Sequence, residues 1–108
     1  MTRDPAGPDA ADVFAHRGRF LRVLPETERS QTTVMTVAPG ADDGPEEQHD
    51  GDQIIYVVEG EAIVRINARE HRTGPGSLVT IPKGVRHHVR NPGATPLFLL
   101  TVYAPPEY

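Results

Sequence analysis

Three side chains able to bind a metal ion lie close together in the middle of the chain. Glu47 and His49 are two residues apart, and Gln53 follows four residues later. Side chains alternate between the two faces of a strand, so these three share one face if no bulge intervenes. A carboxylate, an imidazole and an amide oxygen can each ligate a divalent cation. Ile55 and Val57 continue the same face, so the pattern predicts a metal site at the mouth of an apolar core.

A further histidine, His87, follows a turn rich in proline and glycine. A strand predicted at Leu78–Ile81 ends at Pro82-Lys83-Gly84, and extended structure is predicted to resume over residues 86–90. The turn determines where the His87 imidazole points. We expect this imidazole to join the site of Glu47 and His49. His88 is the next residue, so it should face the opposite side of its strand.

The elements that must position these residues are short β-strands. The apolar residues are mainly Val, Ile and Leu, which suit a pleated sheet, and 10 Gly and 11 Pro are spread along the 108 residues. No helical period of useful length is present. Turn signals every 8–12 residues separate strands that we predict at residues 20–24, 31–37, 46–49, 53–58, 61–66, 68–73, 78–81, 86–90 and 97–103. This spacing favours an all-β sandwich or barrel.

Length and composition narrow the classes of protein further. The length suits one domain, with residues 1–12 as a flexible N-terminal arm rich in Pro, Ala, Gly and Asp, and residues 13–108 as the β-barrel domain. The net charge is −4 and the basic residues are scattered, which argues against a nucleic-acid partner. Cysteine is absent, so thiolate metal sites are excluded. No apolar run approaches a membrane span, and no signal core is present. We therefore expect a soluble, cytoplasmic protein.

The chain resembles the cupin family, and one of the two motifs that carry this resemblance lies in its second half. Cupins carry a motif of the form G-x5-P-x-G-x2-H-x3-N. Every fixed position of it is matched here, by Gly76, Pro82, Gly84, His87 and Asn91.

The other cupin motif, G-x5-H-x-H-x3,4-E-x6-G, is matched in part. His49, Gln53 and Gly60 match it from its second histidine onward, with Gln53 where glutamate is usual. Glu47 stands where the first histidine is usual. The leading glycine is one residue farther away than usual if Gly40 takes that role.

The resemblance covers about residues 19–104 and implies a small single-domain cupin with a double-stranded β-helix, or jelly-roll, barrel. It also implies a homodimer and a divalent metal ion. The implied ligands are Glu47, His49, Gln53 and His87. Two imidazoles and two oxygens form a harder site than the usual set, which favours Fe, Mn or Zn over Cu(I). Gln53 would be a weak or displaceable fourth ligand beside a two-His, one-carboxylate set.

Simpler interpretations exist for several of these residues. Glu47 lies in an acidic stretch that a solvated surface would explain, and Gln53 can be a structural hydrogen-bonding residue. His16 is expected at the surface, and Asn91 is expected to shape a turn.

Three functions are compatible with the sequence. The first is a metal-dependent enzyme acting on a small organic molecule, as an oxygenase or isomerase. The second is a non-catalytic module that binds a small molecule at the metal, and the third has a purely structural metal or none. No separate acid–base pair is visible, so catalysis would depend on the metal and its ligands.

Overall fold

The computed structural model describes residues 10–108, which form eight strands and one short 3₁₀ helix at Val13–His16. The strands are β1 (Arg22–Glu26), β2 (Gln31–Val37), β3 (Asp52–Glu59), β4 (Ala62–Ile66), β5 (Arg69–Thr73), β6 (Leu78–Ile81), β7 (His87–Arg90) and β8 (Leu97–Ala104). All of their pairings are antiparallel. The all-β prediction is therefore confirmed. Within the described residues, no helix is long and apolar enough to cross a membrane.

The strands form two sheets whose order brings distant segments together. The larger sheet has the order β1-β2-β8-β3-β6 and the smaller one the order β5-β4-β7. At the start of β3, Gln53 pairs with Ile81 of β6 on one side and with Tyr103 of β8 on the other. The chain that enters β3 therefore lies beside the chain that leaves β6, just before the turn that leads to His87.

The core lies between the sheets and follows the predicted alternation. In β3, Gln53, Ile55 and Val57 are buried while Ile54 and Tyr56 are exposed. The inward residues of both sheets join in one cluster, whose buried members are Val37, Ile55, Val57, Ala62, Val64, Val79, Ile81, Val89, Leu97 and Leu99. Because apolar burial is the main favourable term in folding, this alternation also determines that Gln53 points inward.

The predicted strand at residues 46–49 is replaced by a single bridge between Glu47 and His87. The chain bends at residues 50–51 before β3 begins. Gly51 packs there against the backbone of β8, and an added Cβ would lie 2.5 Å from the Ala104 carbonyl oxygen. This bend separates the loop that carries Glu47 and His49 from the strand that carries Gln53.

Two further expectations differ at the N-terminal side. His16, expected at the surface, is only 7% exposed because the 3₁₀ helix that carries it packs onto the sheet. Asp12 caps the N-terminus of this helix, since its carboxylate accepts a hydrogen bond from the Phe14 N–H over 3.2 Å. Most of the predicted arm at residues 1–12 lies outside the described residues.

Asn91 shapes the turn after β7, as predicted. Its Nδ2 donates to the carbonyls of Val37 over 3.0 Å and of Thr95 over 2.8 Å, while its Oδ1 accepts from the Gly93 N–H over 2.9 Å. The side chain is 2% exposed, so its amide replaces water as hydrogen-bond partner for three backbone groups.

Candidate metal centre

Glu47 and His87 are brought together by backbone pairing between a loop and β7. The Glu47 N–H donates to the His87 carbonyl over 2.9 Å, and the His87 N–H donates to the Glu47 carbonyl over 2.9 Å. Residues paired in this way project their side chains from the same face at close distance. A carboxylate and an imidazole that are 40 residues apart in sequence therefore become direct neighbours.

His49 is held against the same pair by the Pro/Gly turn. Its carbonyl accepts from the Gly84 N–H over 2.8 Å, and Gln48 donates from Nε2 to the Gly84 carbonyl over 2.8 Å. The His49 and His87 rings lie 4.9 Å apart between centroids. The turn expected to aim His87 thus also holds the loop that carries His49.

Glu47, His49 and His87 each place one ligand atom within 4.8 Å of the other two. His87 Nδ1 lies 3.0 Å from the Val85 carbonyl oxygen, which requires a proton on Nδ1 and leaves the lone pair on Nε2. Burial lowers the pKa of His87, opposed in part by that carbonyl. The imidazole is consequently neutral at physiological pH, which is the form that ligates metals.

Gln53 supplies an oxygen beside this triad. The side chain is 5% exposed, and its Nε2 makes a long 3.5 Å contact with the Tyr103 hydroxyl. Its Oε1 is buried and has no hydrogen-bond partner. Buried polar atoms normally have partners, so this oxygen has the property expected of a ligand.

The donor set fits a divalent metal ion. His49 Nε2 is likewise buried without a hydrogen-bond partner. It lies 3.2 Å from Glu47 Oε2 and makes no hydrogen bond with it. An unpartnered imidazole nitrogen and an unpartnered amide oxygen, next to a carboxylate and a second imidazole, match the preferences of Fe(II), Mn(II) and Zn(II).

A narrow cavity adjoins the candidate ligands. Glu47, Gln53 and His87 line it, and its volume is about 10 Å³, roughly what one water molecule requires. Met35 and Leu99 form part of its apolar side. The space beside the site is thus small and partly apolar, with its polar groups concentrated near the donors.

Asp43 is a carboxyl group of this cavity that local spacing did not identify. Burial raises its pKa from 3.8 to about 6, against the opposing effect of a 3.2 Å hydrogen bond from the Val89 N–H. Its protonation therefore changes close to neutral pH, which suits a group that gives or accepts a proton. In the sequence, Asp43 is one of several acidic residues in a stretch that a solvated surface would explain.

Tyr103 and Tyr108 also line the cavity. Their rings meet edge to face at 5.5 Å, and the Tyr103 ring lies 5.2 Å from that of His49. Burial raises the pKa of both hydroxyls, so they stay protonated and can donate hydrogen bonds. Tyr103 lies at the site because β8 pairs with β3 in the register that sets Tyr103 opposite Gln53. That register is not visible in the sequence.

His88 lies outside the site, as its parity predicted. Its Nε2 is 3.4 Å from the Asp42 carboxylate. Of the residues singled out from sequence, Glu47, His49 and His87 meet as one ligand group and Gln53 borders the same cavity.

Comparisons with known proteins agree with this architecture. The crystal structure of BH2720 from Bacillus halodurans superposes with a TM-score of 0.85 at 30% identity, covering 100% of this chain and 89% of that one. The uncharacterized protein YrkC of Bacillus subtilis is 33% identical over 72% of this chain, which spans only 45% of that relative. The HTH-type transcriptional regulator PuuR of Escherichia coli is 27% identical over 97% of this chain and 63% of its own length.

The family model described as the cupin domain matches residues 33–103, which contain both motifs and all four proposed ligands. With this match over most of its length, and with two antiparallel sheets around a shared core, the chain belongs to the cupin family.

Proposed function

We propose that this protein is a divalent-metal-dependent enzyme acting on a small organic molecule, of oxygenase or isomerase type. The observation that carries the proposal is the convergence of Glu47, His49 and His87 into one group of possible ligands. Two histidines and one carboxylate occupy three positions of a metal ion and leave others for Gln53 and a substrate.

The residues have distinct roles in this proposal. Glu47, His49 and His87 would hold the metal, which when bound would supply Lewis acidity or oxygen activation. Asp43, with its pKa of about 6, accepts or gives a proton at its carboxyl oxygen. The Tyr103 hydroxyl donates a hydrogen bond to a substrate oxygen. Met35 and Leu99 exclude water from the apolar side.

A second candidate is a non-catalytic module that binds a small molecule at the metal. The similarity to the regulator PuuR over 97% of this chain favours it, because a domain within a transcriptional regulator need only bind a ligand. Both candidates use the same donors, so the presence of metal does not separate them.

Metal analysis of protein purified without added metal, before and after reconstitution, tests the site. We expect about one Fe, Mn or Zn ion per chain after reconstitution, lost in His87→Ala and retained in His71→Ala. His71 is a suitable control because it lies exposed on β5. If the reconstituted wild type carries no stoichiometric metal, the site assignment is wrong.

Turnover separates the enzyme from the binding module. Oxygen uptake by the Fe(II)-loaded protein, and solvent deuterium incorporation into a panel of small hydroxy and keto compounds, should reveal activity that His87→Ala lacks. Tight binding of a panel member without conversion under any metal would replace the enzyme proposal with the module.

The homodimer implied by the family resemblance and the cytoplasmic location stay predictions. Sedimentation equilibrium of the purified protein checks the first, with an expected mass near twice 11.8 kDa.

A further inference from the structure

We infer that Glu107 is a positioning residue, which orients His49 toward the metal from outside the ligand group. This inference rests on the proposed metal site. The Glu107 carboxylate is in ion-pair contact with His49 Nδ1, while His49 Nε2 faces Glu47. The two nitrogens of one imidazole thus face two different carboxylates, and only the Glu47 side belongs to the ligand triad.

The contact decides which His49 nitrogen is available. A carboxylate at Nδ1 accepts a hydrogen bond from the ring N–H, so the lone pair stays on Nε2, toward Glu47. Metal-ligating histidines commonly donate their other N–H to a carboxylate in this way, which fixes the tautomer and ring orientation and raises ligand basicity. For His87 the Val85 carbonyl has the same role, so the lone pair of each imidazole is on Nε2.

Glu107 lies in the segment after β8, and the side chain of Gln31 in β2 holds the backbone of that segment by hydrogen bonds. Gln31 is fully buried, and its Oε1 accepts from the N–H groups of Glu107 over 3.1 Å and Tyr108 over 2.8 Å. Its Nε2 donates to the Tyr108 carbonyl over 2.7 Å. A buried amide is unfavourable unless its hydrogen bonds are made, and three of those that Gln31 makes go to the backbone of these two residues.

The remaining contacts of Gln31 and Tyr108 complete the anchor. Gln31 Nε2 also reaches the Glu26 carboxylate at 3.2 Å, and the Tyr108 ring packs against Tyr103 at the cavity. With its backbone held at 107 and 108, the Glu107 side chain needs little ordering to meet His49, although it is 34% exposed. The inference therefore assigns Gln31 the role of holding Glu107 in place.

The test compares metal affinity in Glu107→Ala, Glu107→Gln and the control Glu61→Ala, by chelator competition with Zn(II). Glu61 pairs with Arg72 on the surface. We expect Glu107→Ala to weaken affinity about 10- to 100-fold, the usual effect of removing such a partner. Glu107→Gln, which keeps an acceptor without the charge, should fall between, and Glu61→Ala should match the wild type. Gln31→Met should weaken affinity in the same direction, because it releases Glu107.

Two spectroscopic readouts report on the coordination and the protonation of the His49 ring more directly than metal affinity does. The visible spectrum of the Co(II)-loaded protein should change in Glu107→Ala and not in Glu61→Ala. In metal-free wild type, ¹⁵N resonances of the His49 ring should show the proton on Nδ1, and in Glu107→Ala the proton should shift toward Nε2, which faces the Glu47 carboxylate.

The outcomes separate this inference from the proposed function. If the wild type binds metal and Glu107→Ala binds it equally tightly with the same Co(II) spectrum, Glu107 has no positioning role and the metal site stands. If the wild type binds no metal, the proposed function is wrong, and this inference, which depends on it, is wrong as well.

Discussion

Replacing Asp43 by Asn should stabilise the metal-free protein at pH 8 and leave its stability unchanged near pH 4. The folded structure raises the pKa of this carboxyl from 3.8 to about 6 by burying it. Asparagine is nearly isosteric, and its Oδ1 can still accept the hydrogen bond from the Val89 N–H. The substitution thus removes the ionisable proton and keeps the geometry.

The direction in which the free energy of unfolding changes with pH follows from proton linkage. Between pH 3.8 and 6 the folded state holds a proton on Asp43 that the unfolded state has released. The free energy of unfolding therefore falls as pH rises through this window, and the full cost of the buried carboxylate is present above pH 6. Nearby charges modify the pKa in opposite directions: Glu47 raises it and His88 lowers it.

The magnitude is about 2 kcal/mol. Raising the pKa of Asp43 from 3.8 to about 6 corresponds to a loss of roughly 3 kcal/mol in the free energy of unfolding. Partial solvent exposure of the carboxyl reduces this loss to about 2 kcal/mol. The quantity to follow is the difference in unfolding free energy between Asp43→Asn and wild type. It should rise from near zero at pH 4 to its full value by pH 8.

Urea unfolding of chelator-treated protein, followed by circular dichroism at several pH values, measures this difference. Asp50→Asn is the matched control, since Asp50 is an exposed acid of the same loop region. A difference that is constant with pH, or an Asp43→Asn protein that is less stable at pH 8, would refute the assignment of Asp43 as a carboxyl made more basic by burial.

Three further substitutions test other parts of the structure. Gln53→Leu should stabilise metal-free protein by about 1–2 kcal/mol in urea unfolding, because it removes a buried oxygen without a partner, and should weaken Zn(II) binding in chelator competition. Asn91→Ala should cost about 2–4 kcal/mol in the same unfolding assay, since it leaves three backbone groups, those of Val37, Gly93 and Thr95, without their partner; a loss below that range would contradict the buried network. Gly60→Ala should lower the thermal midpoint far more than Gly74→Ala, because Gly60 has φ +87° and its added Cβ would lie 2.6 Å from the Pro96 carbonyl oxygen, whereas Gly74 has open space.

The strands could be predicted from sequence because their signals are local. Alternation in β3 placed Gln53, Ile55 and Val57 on one buried face, and the structure confirms it. The strands β2 and β6 coincide with their predicted bounds. The failure at residues 46–49 has a physical cause, since a segment that makes only one bridge carries the same residue pattern as a strand.

The sequence by itself determined the fold class, the family and the candidate ligands, because motif spacing and side-chain parity act over a few residues. Only the tertiary structure decided which other groups border the site. Asp43, Tyr103 and Glu107 reach it through contacts between residues 46 to 58 positions apart, such as Val89 with Asp43, Gln53 with Tyr103 and His49 with Glu107. Strand register and the anchor at Gln31 create these contacts, and neither leaves a local pattern in the chain.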